Sequence, residues 1–96
     1  TSKGGVRKFF EYPTQLLRRF EMHATTLNAG LQSHPPHTHR ATEIILMLEG
    51  QTEEQIEDRA FPGEEGTFYF LESEIEHTIR NTGSESATYI AFQFEP

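Results

Sequence analysis

His37-Thr38-His39-Arg40-Ala41-Thr42-Glu43-Ile44-Ile45-Leu46-Met47-Leu48-Glu49-Gly50 sets a histidine pair and a carboxylate directly ahead of the longest apolar run in the chain. That run, residues 44–48, is far too short to cross a bilayer as a helix, which needs about 20 residues. It is apolar on both faces of an extended chain, and a glycine follows closely behind it. Such a segment reads as a strand covered on both sides. Outward from it, Gly and Pro recur at short intervals, and the stretches between them are rich in aromatic and β-branched residues. This rhythm predicts many short antiparallel strands rather than helices. They fall at residues 6–10, 16–27, 37–40, 43–48, 52–56, 59–61, 67–71, 78–81 and 87–95. The turns between them lie at residues 28–30, 49–50, 57–58, 62–66 and 81–84. One helical competitor, residues 12–22, contains Pro13 and lacks a 3.6-residue stripe. From Phe20 it alternates, with Phe20, Met22 and Ala24 against Glu21, His23 and Thr25, so it is read as strand with a short helical turn near residues 13–17.

Ninety-six residues make one domain, residues 1–96, with no room for a second core. Hydrophobic residues are 34% of the chain and aromatics 11%, with eight Phe, so the core must be compact and aromatic. The formal charge of −7, from 15 Asp and Glu against 8 Lys and Arg, repels phosphate backbones and anionic membranes. The expected partners therefore include no nucleic acid and no membrane. Without cysteine there is no disulfide framework, thiolate metal site or cysteine nucleophile, which fits a reducing compartment and a cytoplasmic location. The chain opens Thr1-Ser2-Lys3-Gly4-Gly5 rather than on Met, as a processed chain or a fragment would, and residues 1–5 are expected to be disordered. Residues 44–48 and 68–71 are apolar on both faces, so a barrel built from them needs an outer cover, and a homodimer supplies it.

Five histidines carry the chemistry: His23, His34, His37, His39 and His77. In an extended chain His37, His39 and Glu43 share a parity and converge if the strand bends after His39. Imidazole and carboxylate supply the lone pairs a divalent metal needs at about 2 Å. One strand covers only part of a coordination sphere, and His77 is the one histidine downstream. Spacing alone leaves a metal site and an incidental surface pair evenly balanced.

A resemblance adds to that spacing. Residues 37–50 resemble the first motif of the cupin superfamily, His-x-His, then Glu, then Gly after six residues, without gaps. Gly66-Thr67-Phe68-Tyr69-Phe70-Leu71-Glu72-Ser73-Glu74-Ile75-Glu76-His77-Thr78-Ile79-Arg80-Asn81 resembles the second, with Gly, His and Asn in register. The resemblance implies an all-β, single-domain antiparallel jelly-roll barrel. It also implies one divalent transition metal (Fe, Mn, Ni, Co, Cu or Zn) held by His37, His39, Glu43 and His77. Two departures concern loops: six residues separate Gly30 from His37, one more than usual, and Glu72 and Glu74 replace the expected Pro and Gly. The latter pair is expected to change the loop before His77. Ile45 and Met47 share the parity of Glu43 and are expected to line the pocket, as are Phe92 on the last strand and His34 at the mouth. His23, opposite in parity to its apolar neighbours, is expected at the surface, and no independent general base is identifiable. The function implied is a metal-dependent enzyme acting on a small organic metabolite with an oxygen chelating group. A redox metal implies dioxygenase-type oxidation, and a non-redox metal implies isomerisation or decarboxylation. The alternatives are a non-catalytic binding or sensing module and a barrel whose metal only staples its strands.

Overall fold

A computed structural model describes residues 4–96, which form eight strands and no helix. The strands are β1 (Gly4–Tyr12), β2 (Arg19–Leu27), β3 (Thr42–Glu49), β4 (Thr52–Ile56), β5 (Arg59–Gly63), β6 (Phe68–Leu71), β7 (His77–Asn81) and β8 (Ala87–Glu95). They pair antiparallel in a five-stranded sheet, β1-β2-β8-β3-β6, and a three-stranded sheet, β5-β4-β7. Two antiparallel sheets enclosing one core make the expected jelly-roll barrel. Leu27, Ile45, Met47, Leu71, Ile79 and Ala91 fill the core between the sheets. Gly50, which ends the β3 motif, has φ +88°, and a Cβ there would come within 2.6 Å of the Ala87 backbone. Only glycine lets β3 turn so close to the start of β8.

Three expected elements differ. The strand expected from residue 16 begins at Arg19, because residues 14–17 close on themselves. The Thr14 amide donates to the Leu17 carbonyl (2.9 Å) and the Leu17 amide donates to Thr14 Oγ1 (3.0 Å). The backbone bond runs forward along the chain, opposite to a helix, so the expected helical turn is a closed loop instead. Residues 37–40 form a single bridge between His37 and His77 rather than a strand, since the His39 carbonyl is taken by the Glu74 amide (2.8 Å). Gly4 and Gly5 belong to β1, paired with Leu27 and Thr26, whereas residues 1–3 of the segment expected to be disordered lie outside the described residues.

The larger correction concerns which parity of β2 and β8 faces inward, whereas on β3 the expected parity of Glu43, Ile45 and Met47 does so. On β2, β8 and β3 the barrel interior receives Glu21, Thr25, Leu27, Tyr89, Ala91, Glu43 and Ile45, while Phe20, Met22, Ile90, Phe92, Phe94 and Ile44 take the other face. Phe92 is therefore not on the pocket wall. It lines an apolar groove outside the barrel with Leu16, Leu17, Phe20, Ile44 and Phe94. His23, expected at the surface, faces inward. The apolar parity stays outside because the inward parity carries the polar side chains that build the site.

Candidate metal centre

The single bridge at His37 holds the entry loop against the start of β7: the His37 amide donates to the His77 carbonyl (3.2 Å) and the His77 amide to the His37 carbonyl (2.9 Å). The chain then bends at residues 40–41 and enters β3, which sets Glu43 beside His39 and His77. His77 comes from the opposite sheet. Potential ligand atoms of His37, His39 and His77 all lie within 4.8 Å of one another, a spacing that a common ion about 2 Å from each would draw together.

Each of these rings is fixed by its Nδ1 edge. His37 Nδ1 meets the His77 carbonyl (3.2 Å), His39 Nδ1 the Ala41 carbonyl (2.7 Å) and His77 Nδ1 the Ile75 carbonyl (3.0 Å). A carbonyl only accepts, so Nδ1 carries the proton and Nε2 keeps its lone pair. This orientation by outer groups is what metal-binding histidines require. Glu43, 6% exposed, sets Oε1 3.2 Å from His77 Nε2 and 3.8 Å from His39 Nε2. Neither Nε2 makes an aligned hydrogen bond, though both are buried. Two orphaned buried lone pairs beside a carboxylate are the chemistry of a cation site lined by hard and intermediate donors. Burial pushes the Glu43 carboxyl up, but His39, His77 and the Gln93 amide together outweigh it and hold it well below the usual carboxylate range. Glu43 in turn raises His39, against the effect of burial. Burial, aided by the neighbouring His34, lowers His37.

The cluster opens into a cavity of about 720 Å³, ample for a small metabolite. Ile45 and His34 line it, as expected from sequence. The His34 and His37 ring centres lie 3.9 Å apart. Met47, 1% exposed, packs instead in the closed core, where its Sδ accepts from Thr52 Oγ1 (3.2 Å). It does not reach the cavity wall. Arg80 and Arg40 are exposed.

Sequence reasoning missed a polar chain across the inner face of the large sheet. Gln93 Nε2 donates to Glu43 Oε2 (2.8 Å), Arg19 Nη1 donates to Gln93 Oε1 (3.2 Å), and Arg19 Nη2 donates to Glu21 Oε2 (3.2 Å). His23 Nδ1 donates to Glu21 Oε1 (2.5 Å), which leaves Nε2 as the free nitrogen of a ring on the cavity wall. Registration explains the assembly: Glu21, Gln93 and Glu43 stand opposite one another in one row, and His23, Ala91 and Ile45 in the next. The signal was present in the parity shared by Glu21, His23, Gln93 and Glu43, but it counts as inward only once the strand order is known.

Two antiparallel sheets packed as a barrel, with three histidines and a carboxylate brought together between them, define a class of antiparallel jelly-roll barrels. The sequence model described as a cupin domain (Cupin_2) matches residues 23–92, and the chain belongs to the cupin family. No curated protein matches it significantly. Among solved structures, it is similar to the Schizosaccharomyces pombe Cnp3 cupin domain (TM-score 0.82, 14% identity), over 95% of this chain but about 60% of that one. It is similar also to an RmlC-like cupin with a double-stranded β-helix fold from Methanocaldococcus jannaschii (TM-score 0.83, 16% identity, 99% of this chain and 83% of that one). A third is the Cupin_2 domain of an XRE family transcriptional regulator from Enterobacter cloacae (TM-score 0.81, 19% identity, 98% of each chain). At these identities the likeness establishes the fold. Within it, the three histidines are a group that could hold a metal.

Proposed function

We propose that this cupin is a metal-dependent enzyme acting on a small metabolite with an oxygen chelating group, its divalent transition metal held by His37, His39, His77 and Glu43. The observation that carries the reading is the set of three imidazoles pinned through Nδ1 to backbone carbonyls and gathered within 4.8 Å of one another, two of their Nε2 atoms beside Glu43, on a 720 Å³ cavity. A bound ion of this kind supplies Lewis-acid polarisation of a chelated oxygen and, if redox-active, electron transfer. The protein's own residues do the rest. Gln93 fixes the second oxygen of Glu43, so one carboxylate oxygen faces the histidines while the other is occupied. His23 faces the same cavity with one nitrogen committed to Glu21 and the other free to accept or return a proton. Arg19 bridges Glu21 to Gln93 and so keeps the proton-transfer ring and the carboxylate ligand in one fixed frame. Apolar Ile45, Ile79 and Leu27 exclude water from the deeper wall.

A sensing module is the second reading, favoured by the near full-length match to the cupin domain of a transcriptional regulator. The His23–Glu21 pair supports the enzyme reading, since it sets an oriented imidazole on the cavity wall.

The test is elemental analysis of protein purified without chelator, beside a His37→Ala/His77→Ala variant. One first-row divalent ion per chain in the parent and none in the variant is the expected result. Both proteins empty, before and after exposure to each candidate ion, would overturn the metal reading.

The chain works as a homodimer through the outer face of the large sheet. Phe68 and Phe70 are 58% and 52% exposed there, beside the groove of about 670 Å³ lined by Phe20, Ile44, Phe92 and Phe94. An uncovered aromatic face of this extent supports association.

A further inference from the structure

One buried ionisable group takes no part in the histidine cluster. Glu54 on β4 has no exposed surface, and neither of its carboxyl oxygens has a hydrogen-bond partner. It nevertheless lines the cavity that His37, Glu43 and His77 open into. In the β4–β7 ladder Ile56 stands opposite His77 and Glu54 opposite Ile79, so Glu54 lies one inward step, roughly 7 Å, further along the barrel than the metal ligands. Two hydroxyls of the packed core on and beside β4 are already engaged: Thr52 Oγ1 lies 3.2 Å from Tyr69 OH, and Tyr69 OH donates to the Phe61 carbonyl. Ser33 Oγ, on the same cavity wall, is buried beside Tyr89. An acid left unpaired in the barrel interior is expensive to keep. Burial, with a smaller effect of the Glu43 charge, raises its carboxyl to about 9, so that it carries both an O–H donor and a carbonyl acceptor at neutral pH. No Lys or Arg lines the cavity among the described residues. A ligand ending there in a carboxylate would therefore find no counter-charge.

We propose that Glu54 is the specificity-determining residue for the far end of the ligand, pairing with an uncharged hydroxyl group whose oxygen-chelating head sits at the histidine cluster. The inference rests on the metal reading above and adds to it the substrate class: a short-chain hydroxy compound, chelating at one end and neutral and hydroxylated at the other. Ser33 Oγ offers the second contact for that hydroxyl.

The test uses Zn²⁺-loaded protein and calorimetric titration with hydroxamates, which chelate through two oxygens. Four probes are compared: acetohydroxamate, butanohydroxamate, 4-hydroxybutanohydroxamate and 4-aminobutanohydroxamate. The quantity read is the affinity ratio of the hydroxyl-ended to the methyl-ended probe within each protein, which cancels any general effect of a substitution on the chelated head. In the wild type the hydroxyl end is expected to bind about tenfold tighter. The ratio falls to about one in Glu54→Met, and part of it survives in Glu54→Gln, whose amide still donates and accepts. An unchanged ratio in Glu54→Met, or a wild-type preference for the ammonium-ended probe, overturns the proposal. Acetohydroxamate failing to bind the wild type brings down the metal reading and this inference together. Acetohydroxamate binding with no hydroxyl preference brings down this inference alone.

Discussion

Replacing Glu54 by methionine removes a carboxyl that stays inside the barrel by keeping its proton. Its value rises from the ordinary 4.5 to about 9 on folding. Between those two values the folded chain holds a proton that the unfolded chain has released, so the unfolded state binds fewer protons and stability falls as pH rises. The contribution of the neutral acid is whole below about pH 4.5 and is lost progressively up to about 9, at about 1.4 kcal/mol per pH unit. At pH 7 the wild type has therefore given up about 3 kcal/mol, a large part of the roughly 5–15 kcal/mol that holds a domain together. Methionine keeps the unbranched shape of glutamate, so it fills the site without leaving a cavity. The variant is expected to be the more stable protein at pH 7, by roughly 10 °C or more in Tm for a domain of this size. Urea melts of chelator-treated wild type and variant at pH 5, 6, 7 and 8 measure the effect. His23, His34, His37, His77, Glu43 and Tyr89 also face the cavity, but both proteins share them and they largely drop out of the difference. The advantage of the variant should widen steadily from pH 5 to pH 8. An advantage that is flat across that range, or a variant weaker than wild type at every pH, would refute the reasoning.

The loop before His77 offers a second test. Glu74 holds φ at 65°, where a side chain costs about 1–2 kcal/mol and glycine costs nothing, so Glu74→Gly should gain about 0.5–1 kcal/mol after glycine's larger unfolded entropy is counted. A thermal melt checks this, and a lowered Tm would count against it. Static light scattering at micromolar concentration should give twice the monomer mass, and Ile44→Asp, which puts a charge into the outer groove, should return it to the monomer. A monomeric wild type would show that the outer face has some other cover. Finally, Gly50→Ala should cost more than 1 kcal/mol by urea melt, because both its φ of +88° and the nearby Ala87 backbone oppose a Cβ.

Much of the fold was legible because turns are written locally. Gly50, the 57–58 pair and the 62–66 segment punctuate the chain at the ends of β3, β4 and β5. The gathering of His37, His39 and His77 depends instead on the bridge between His37 and His77, which parity along one segment does not supply. What stayed hidden depends on long-range pairing. Residues 16–18 read as the lead-in to the alternating strand that follows, but Thr14 captures Leu17 with two hydrogen bonds that no periodicity reveals. His23 reads as a surface residue while apolar side chains are assumed to face the core. Only the β2–β8–β3 order places it in the same interior as Glu43. Glu54 lies in an acidic, polar stretch that reads as a solvated strand. Its burial follows from β7 and the large sheet closing over it, a contact between segments far apart in the chain.

This inversion of the usual pattern ties the site to the outer face. Glu43 and Ile45 point inward while Ile44 between them points outward; Ala91 and Gln93 line the interior while Phe92 between them lines the outer groove. Because successive residues of a strand alternate faces, the same backbone positions the polar cluster and the apolar exterior, and neither can shift in register without turning the other over. A one-residue slip of β8 against β3 would bring Phe92 into the cavity and expel Gln93 from Glu43. The apolar exterior thus does more than offer a surface for association. Covering it with a second copy would lock the register that keeps Gln93 on Glu43, and through Arg19 and Glu21 keeps His23 turned toward the same cavity.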